Sequence, residues 1–236
     1  DGPSLDALAA ALLAALAHDV GHPGRNNKFL VASRHPLAVT YNDKSPLENM
    51  HAAIAFRLLA KEENSFLEDL DNERFRALRA DMVAMILATD NDHHGELMGA
   101  ATAHLADVAP PPERAPEHAA QGRLLRLQLA LHAADLGNPA KPWGTYMAWT
   151  DRVMREFYEQ GDEERSLGLP VSMGYDRDNP IPRPKFQQGF INYIVLPLYS
   201  TFGAFPGIQI EPCMSQLNQN LEQLQQEEKN ETSASL

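Results

Sequence analysis

Residues 5–24 read LDALAAALLAALAHDVGHPG, an apolar helical segment that runs directly into a polar turn. Its leucines recur at steps of three and four, the spacing of one helix face, and Ser4 is placed to cap the first turn. The glycines and proline of the turn end the helix, so His18, Asp19 and His22 are left at its C-terminal end. The leucines that set this period are Leu5, Leu8, Leu12 and Leu16.

Helical spacing also dominates the rest of the chain, so we predict an all-α fold, a compact multi-helix domain. Ser45-Pro46-Leu47-Glu48 has the pattern of a capping box, and Pro197 should interrupt the helix that contains it. We expect one domain over 1–229 and a frayed tail over 230–236. The helices are predicted over 46–62, 72–90, 92–108, 117–136, 143–167, 185–205 and 211–229, with loops over 25–44, 109–116 and 170–184.

Composition and charge narrow the class of protein. The 236 residues carry a formal net charge of −12, which argues against a nucleic-acid polymer or an anionic membrane as partner. A small anionic substrate would need positive charge supplied by bound metal ions. The single cysteine, Cys213, suits a reducing compartment, and we expect a cytoplasmic domain without membrane contact. The sequence opens at Asp1 rather than Met, so we expect it to be a fragment of a longer protein.

Two polar groups are candidate metal ligands. His18-Asp19 offers an imidazole and a carboxylate from one helix end, although as a bare pair these are more simply ordinary helix-end groups. Asp135 ends a leucine-rich helix, where a buried carboxylate needs a hydrogen-bonded base or a metal ion. We interpret His132, three residues earlier, as a packed and hydrogen-bonded histidine. His93 and His94 point about 100° apart on a helix and should not share a site.

Other candidates are ambiguous when taken singly. Glu48 is explained by the capping box, and Thr89 by the end of a helix. His51 could face either solvent or core. Gln187 and Phe190 lie three residues apart on one helix face, where a flat heterocycle could stack on the ring and bond to the amide. The plain alternative is a core phenylalanine beside an exposed glutamine.

Taken in order, these segments resemble the catalytic domain of class I cyclic-nucleotide phosphodiesterases, a branch of the HD superfamily. The match covers nearly the whole chain, so it is far more specific than any single motif. The matching segments are His18-Asp19-Val20-Gly21-His22-Pro23-Gly24 with Asn27, Leu47-Glu48-Asn49-x-His51, Ala88-Thr89-Asp90, His132-x-Ala134-Asp135-x-x-Asn138-Pro139, Trp149-Thr150-Asp151-Arg152, Phe157-Tyr158-x-Gln160-Gly161-Asp162 and Gln187-x-Gly189-Phe190-Ile191.

The resemblance implies metal-dependent hydrolysis of 3′,5′-cyclic AMP or cyclic GMP to a nucleoside 5′-monophosphate, by a hydroxide that two metal ions activate. It implies two divalent ions, Zn²⁺ and Mg²⁺, with Mn²⁺ as a substitute. The metal ions would be bound directly by His18, Asp19 and Asp135. The water molecules on those ions would be held by His22, Glu48 and Thr89. Gln187 would bond to the purine, Phe190 and Val153 would clamp it, Asn138 and Tyr146 would line its pocket, and Trp149 would support Gln187.

The family's H-N-x-x-H motif, with the general-acid histidine and a further metal-ligand histidine, should lie upstream of Asp1. We therefore assign no general acid within this chain. A regulatory domain or a homodimer contact would belong to that upstream part. Two alternatives stay open: a non-catalytic module that binds cyclic nucleotide or metal, and another HD-type nucleotide phosphohydrolase. A purely structural scaffold would have to treat every polar coincidence as chance.

Overall fold

The structure, a computed structural model, describes residues 4–64, 66–107 and 116–234. Those residues form helices and turns without a strand, which confirms the predicted all-α class. They group into two compact units, residues 1–132 and 133–236, and the boundary falls within one helix. The prediction of a single domain over 1–229 stays a prediction. Among the described residues, no helix combines the length and apolarity that a membrane span requires.

The first unit is built on helices α1 to α6 and most of α7. Its core joins alanines of α1 to methionines and leucines of α5, with Ala52 of α4 and Leu131 of α7 beside them. The bounds are α1 Leu5–Ala17, α2 Asn27–Ala32, α3 Pro36–Thr40, α4 Pro46–Leu59, α5 Asn72–Leu87, α6 His94–Ala106 and α7 Pro116–Asp135, with 3₁₀ turns at Glu62–Asn64 and Asn91–His93.

Helix α1 packs through its alanines. Ser4 accepts a hydrogen bond from the Ala7 amide at 3.2 Å, as the predicted cap requires. Ala10 and Ala14 are fully buried, and α1 lies against α5. Small side chains allow two helices to approach closely. The leucine face lies on the other side, with Leu12 68% and Leu16 84% exposed, so the leucine period locates the helix without marking its packed face.

Two predictions for the first unit are corrected. The polar stretch 25–44 contains the short helices α2 and α3, because Asn26 caps α2 through the Phe29 amide at 2.9 Å and Phe29 is buried. The capping box is wrong in its hydrogen bonds. Ser45 lies in the left-handed region, at φ 41°, and makes no side-chain cap bond. An N-cap residue normally needs extended backbone to direct its oxygen at the helix amides.

The second unit contains the rest of the chain in four further helices. Its buried centre includes Tyr146, Ile191, Leu198, Leu217 and Leu224. The predicted interruption near Pro197 is confirmed. A five-residue π-helical turn separates α9 from α10, and Pro197 follows it in the first turn of α10. The bounds are α8 Trp143–Ser166, α9 Arg183–Phe190, the π turn Ile191–Val195, α10 Leu196–Gly203 and α11 Glu211–Ala234, with a 3₁₀ turn at Asn138–Ala140.

Helix α11 continues to Ala234, into the segment 230–236, and the predicted fraying of that segment stays a prediction. Polar side chains sustain its last turns, where Gln226 donates to Asn230 at 2.9 Å and Ser233 donates to the Lys229 carbonyl at 2.8 Å. These i, i+4 pairs stabilise a helix locally. The predicted proline-rich loop over 109–116 lies outside the described residues except for Pro116, which begins α7.

Candidate functional site

The end of α1 presents His18 and Asp19 side by side. Helix α1 ends at Ala17, and the chain turns at Gly21, whose φ of 78° favours glycine. The Nδ1 atom of His18 lies 2.9 Å from the Ala15 carbonyl oxygen, so that nitrogen carries the proton. Its Nε2 atom then faces Asp19, 3.6 Å from Oδ2. A local turn alone therefore places an imidazole nitrogen beside a carboxylate.

His51 of α4 reaches the same carboxylate from inside the first unit. Its side chain is only 1% exposed, and its Nδ1 atom donates to the Val20 carbonyl at 2.8 Å. Its Nε2 atom lies 3.8 Å from Oδ1 of Asp19. Together with His22, whose ring stacks on His51 with centroids 5.7 Å apart, these residues bring three potential ligand atoms within 4.8 Å of one another.

The two stacked histidines hold opposite tautomers. His22 accepts the Gly24 amide at Nδ1, over 3.0 Å, so in the neutral ring the proton lies on Nε2, where it can donate to water. Among the described residues, the buried Nε2 atom of His51 finds no hydrogen-bond partner. Burial lowers the pKa of His51, which keeps the ring neutral. A bare nitrogen thus faces a carboxylate oxygen, an arrangement that a cation between them would stabilise.

These donors fit a divalent metal ion. Imidazole nitrogen and carboxylate oxygen are common ligands of Zn²⁺, and a carboxylate also suits the harder Mg²⁺. Asp19 is exposed, so a cation can reach it from solvent. The first unit therefore contains a candidate metal centre at Asp19 and His51, with the His22 N–H group available as a hydrogen-bond donor beside it.

Glu48 lies buried behind this centre, 8% exposed. It accepts the Asn27 amide group at 2.8 Å, while the Asn27 oxygen accepts the Leu47 amide at 3.0 Å. Burial raises the pKa of Glu48 to about 7, assisted by the negative charges of Asp90 and Asp19. Glu48 is thus a buried carboxyl that exchanges a proton near neutral pH, rather than the capping residue that the sequence suggests.

We predict that this raised pKa makes the stability of the metal-free protein depend on pH through Glu48. The folded pKa lies above the usual 4.5, so the stabilising contribution is complete below pH 4.5 and is lost as the pH rises through about 7. The free energy of unfolding should fall relative to Glu48→Gln by about 3 kcal/mol between pH 4.5 and 8. Urea unfolding with a chelator present measures this, and parallel pH profiles for the two proteins would contradict it.

The other predicted metal residues are placed as follows. Asp135 is the exposed last residue of α7, and its predicted role as a ligand stays a prediction. Thr89 is buried and donates to the Ile86 carbonyl at 2.7 Å, which is a helix-end bond. Its predicted role in holding a metal-bound water stays a prediction.

His132 is fully buried and shares a 2.9 Å hydrogen bond with His94, which agrees with its interpretation as a packed, hydrogen-bonded histidine. His93 instead pairs with Glu96 at 2.8 Å.

In the second unit, Gln187 is held by Tyr146. Gln187 is buried on α9, and its Oε1 atom accepts the Tyr146 hydroxyl at 2.8 Å. Tyr146 is fully buried on α8, and burial raises the pKa of its phenol, so it remains a donor. With Oε1 occupied, Gln187 presents its N–H donors to a ligand. The two residues, 41 positions apart, form a fixed hydrogen-bonded pair, and the predicted contact of Gln187 with a purine base stays a prediction.

The remaining predicted base residues are less constrained. Phe190 and Val153 are half-buried on α9 and α8, and their predicted clamp stays a prediction. No donor of the described part of the chain reaches the buried Oδ1 atom of Asn138, and the predicted place of Asn138 in the base pocket stays a prediction. Trp149 is exposed beside Arg152, whose guanidinium lies 5.3 Å from the ring centroid. Tyr146 supports Gln187 through a direct hydrogen bond, and the predicted support of Gln187 by Trp149 stays a prediction.

Two residues around the candidate metal centre could not be identified from the sequence. The sequence does not decide whether His51 faces solvent or core, and in the structure it supplies the buried nitrogen. A signal existed in the spacing, because Glu48 and His51 are three residues apart and lie on the same face of α4. Asn27 was quoted only as part of a motif, although its amide holds Glu48. Nothing local to Asn27 reveals that partner, which is 21 residues away in sequence.

Comparison with known proteins gives a consistent result. The sequence model described as 3′5′-cyclic nucleotide phosphodiesterase matches residues 4–217. A probable 3′,5′-cyclic phosphodiesterase of Caenorhabditis elegans is 42% identical over 81% of this chain and 27% of its own length. The human cGMP-inhibited 3′,5′-cyclic phosphodiesterase 3A is 41% identical over 89% of this chain and 18% of its own length. The chain thus spans less than a third of each of these relatives.

The solved structures agree with the sequence comparison. The phosphodiesterase domain of a RhoPDE fusion protein from the choanoflagellate Salpingoeca rosetta superposes with a TM-score of 0.89 at 30% identity. The match covers 99% of this chain and 72% of that domain.

Proposed function

Because the chain belongs to the 3′,5′-cyclic nucleotide phosphodiesterase family, we propose that it hydrolyses 3′,5′-cyclic nucleotides to nucleoside 5′-monophosphates. The observation that best supports this is the pair of acceptor atoms, His51 Nε2 and Asp19 Oδ1, facing each other at 3.8 Å in an acidic protein. An anionic phosphate can approach such a centre only if cations are bound there. The relatives compared above are named as cyclic phosphodiesterases, which supports the same reaction.

We propose that Asp19, His18 and Asp135 hold two divalent ions, Zn²⁺ and Mg²⁺ by the family resemblance. The Nε2 atom of half-buried His18, 3.6 Å from Asp19 Oδ2, supports this choice. Once bound, two such ions supply positive charge to the phosphate oxygens and lower the pKa of a water molecule. His51, whose bare Nε2 atom lies 3.8 Å from Asp19 Oδ1, would contribute a nitrogen ligand to the cation that Asp19 binds. The hydrogen bond from its Nδ1 atom to the Val20 carbonyl fixes the ring in that orientation.

Two further residues would donate, hold or release protons beside the metal centre. The His22 ring can donate Nε2–H to a water oxygen near Asp19, because Gly24 occupies its other nitrogen. Glu48, with a pKa raised to about 7, can hold or release one proton at physiological pH. A group whose pKa matches the working pH exchanges protons most effectively. None of the described residues is assigned to protonation of the leaving 3′ oxygen.

The second unit carries the residues proposed to hold the base. The Gln187 amide, oriented by Tyr146, would donate to an acceptor on the purine edge. Adenine and guanine both carry such acceptors, so we propose both cyclic AMP and cyclic GMP as substrates. Phe190 and Val153 would contact the faces of the ring, and the buried Asn138 oxygen would accept a ring donor.

Metal removal and turnover of the full-length protein test this function. We expect a chelated and dialysed sample to lose turnover of cyclic AMP and cyclic GMP, and Zn²⁺ with Mg²⁺ to restore it. Nucleoside triphosphates serve as control substrates. Hydrolysis of triphosphates without hydrolysis of cyclic nucleotides would identify an HD-type phosphohydrolase instead. Cyclic-nucleotide binding without turnover, in a protein that contains the upstream motif, would identify a regulatory module.

A further inference from the structure

A cavity of about 370 Å³ in the second unit has arginines as half of its lining residues. Asp151, Met154, Arg155 and Tyr158 have the spacing i, i+3, i+4 and i+7, so they share one face of α8. Arg177, in the segment after α8, and Arg183, at the start of α9, complete the lining. Three arginines and one aspartate therefore meet in a chain whose net charge is −12. The residues proposed for catalysis and base binding do not include any of these six.

The three guanidinium groups differ in how firmly they are paired. Arg177 forms a two-pronged pair with Asp162, at 3.0 and 2.6 Å, and is held 5.8 Å from the Tyr158 ring. Arg183 has only long contacts, 3.3 Å to Asp151 and 3.4 Å to Glu227. Among the described residues, Arg155 has no carboxylate within ion-pairing distance and is exposed. An entering anion can therefore bind Arg155 directly and recruit Arg183.

We propose that this cavity is a second small-molecule site, which binds the phosphate group and the ring of a nucleoside 5′-monophosphate. A guanidinium group can donate two parallel hydrogen bonds to two oxygens of a phosphate. A phosphate monoester carries about 1.5 to 2 negative charges at pH 7, which strengthens these bonds. The Tyr158 ring and the buried Met154 side chain supply apolar surface for a base. The volume lies within the usual range for ligand pockets, roughly 300 to 1,000 Å³. The site does not depend on the proposed reaction.

Binding of uridine 5′-monophosphate, measured by titration calorimetry with a chelator present, tests the proposal. A pyrimidine nucleotide makes no demand on the purine-directed Gln187, and the chelator removes metal-dependent phosphate binding. We expect Arg155→Gln to raise the Kd about tenfold or more, since it removes a charge-assisted bond. Lys185→Gln, which removes an exposed cation of α9 outside the cavity, should change the Kd less than about twofold. Uridine without phosphate should bind far more weakly.

A second variant tests the ring contact. Tyr158→Leu keeps an apolar side chain and should remove most of the preference for uridine 5′-monophosphate over inorganic phosphate. Circular dichroism melting curves for each variant verify folding, which Arg155→Gln should leave unchanged because Arg155 has no ion pair to lose. The proposal is overturned if uridine 5′-monophosphate does not bind. It is also overturned if binding is unaffected by Arg155→Gln and Tyr158→Leu, or falls equally in Lys185→Gln.

Discussion

Replacing Asp19 with asparagine is expected to abolish both metal binding and cyclic-nucleotide turnover. The substitution preserves the shape of the side chain but removes the charge that faces His18 at 3.6 Å and His51 at 3.8 Å. Loss of an outer-shell partner of a metal ligand already costs 10- to 100-fold, so loss of the ligand charge should exceed about 100-fold in metal affinity. Calorimetric titration with Zn²⁺ and turnover of the full-length protein measure the two effects.

Asp43→Asn provides the matched control for this prediction. Asp43 is an exposed carboxylate in the turn before α4, and its φ of 62° is a conformation that asparagine tolerates well. It should retain normal metal affinity and turnover. Asp135→Ala should behave like Asp19→Asn if Asp135 is a ligand. Wild-type metal affinity in Asp19→Asn would refute the metal centre, whereas wild-type turnover in Asp135→Ala alone would remove only Asp135 from the ligand set.

Replacing Gln187 with alanine should have the second-largest effect, on substrate recognition. The change removes the donor proposed for the purine and leaves the buried Tyr146 hydroxyl without its acceptor. Loss of a hydrogen bond that leaves the acceptor on the bound purine unpaired costs about 1 to 3 kcal/mol, which corresponds to a fall in kcat/KM of roughly 5- to 150-fold. We expect metal affinity to be unchanged. Steady-state kinetics with cyclic AMP and cyclic GMP provide the measurement.

Tyr146→Phe and Gln188→Ala separate recognition from general damage to the second unit. Tyr146→Phe removes the hydroxyl that orients the amide, so the ratio of cyclic AMP to cyclic GMP turnover should change more than either rate alone. Gln188→Ala removes a neighbouring amide that instead donates to Glu228 of α11 at 2.8 Å, and its kinetics should resemble those of the wild type. Equal losses in Gln187→Ala and Gln188→Ala would show that Gln187 has no particular role in base binding.

Elements governed by local chemistry were predictable from the sequence. Helix α1 and its cap at Ser4, the start of α4 at Pro46 and the interruption before Pro197 all follow from residues within one or two helical turns. Proline lacks an amide hydrogen and crowds the preceding turn, so its effect does not depend on the rest of the fold. The short helices α2 and α3 escaped prediction because five or six residues contain too little periodicity to identify a helix.

The packed face of α1 depended on its neighbours. The periodic leucines predicted a helix, but alanines form the face that packs on α5. Close packing of two helices selects small side chains at the contact, and sequence periodicity does not report the distance between the helices.

The backbone conformation of Ser45 was likewise not predictable from its local sequence. Its left-handed backbone removes the capping bond, and the buried Glu48 then binds Asn27 instead of the helix start.

The sequence by itself determined the helical class and which imidazoles, carboxylates and amides stand at helix ends. Both follow from local features, since helical periodicity and helix-ending residues can be recognised within a few neighbouring positions. Only the tertiary structure decided the chemical state of those groups. His51 owes its bare buried nitrogen to the Val20 carbonyl, 31 residues away, and Glu48 owes its raised pKa to burial near the negative charges of Asp90 and Asp19. Protonation depends on desolvation and on nearby charges, and both arise only when distant segments pack together.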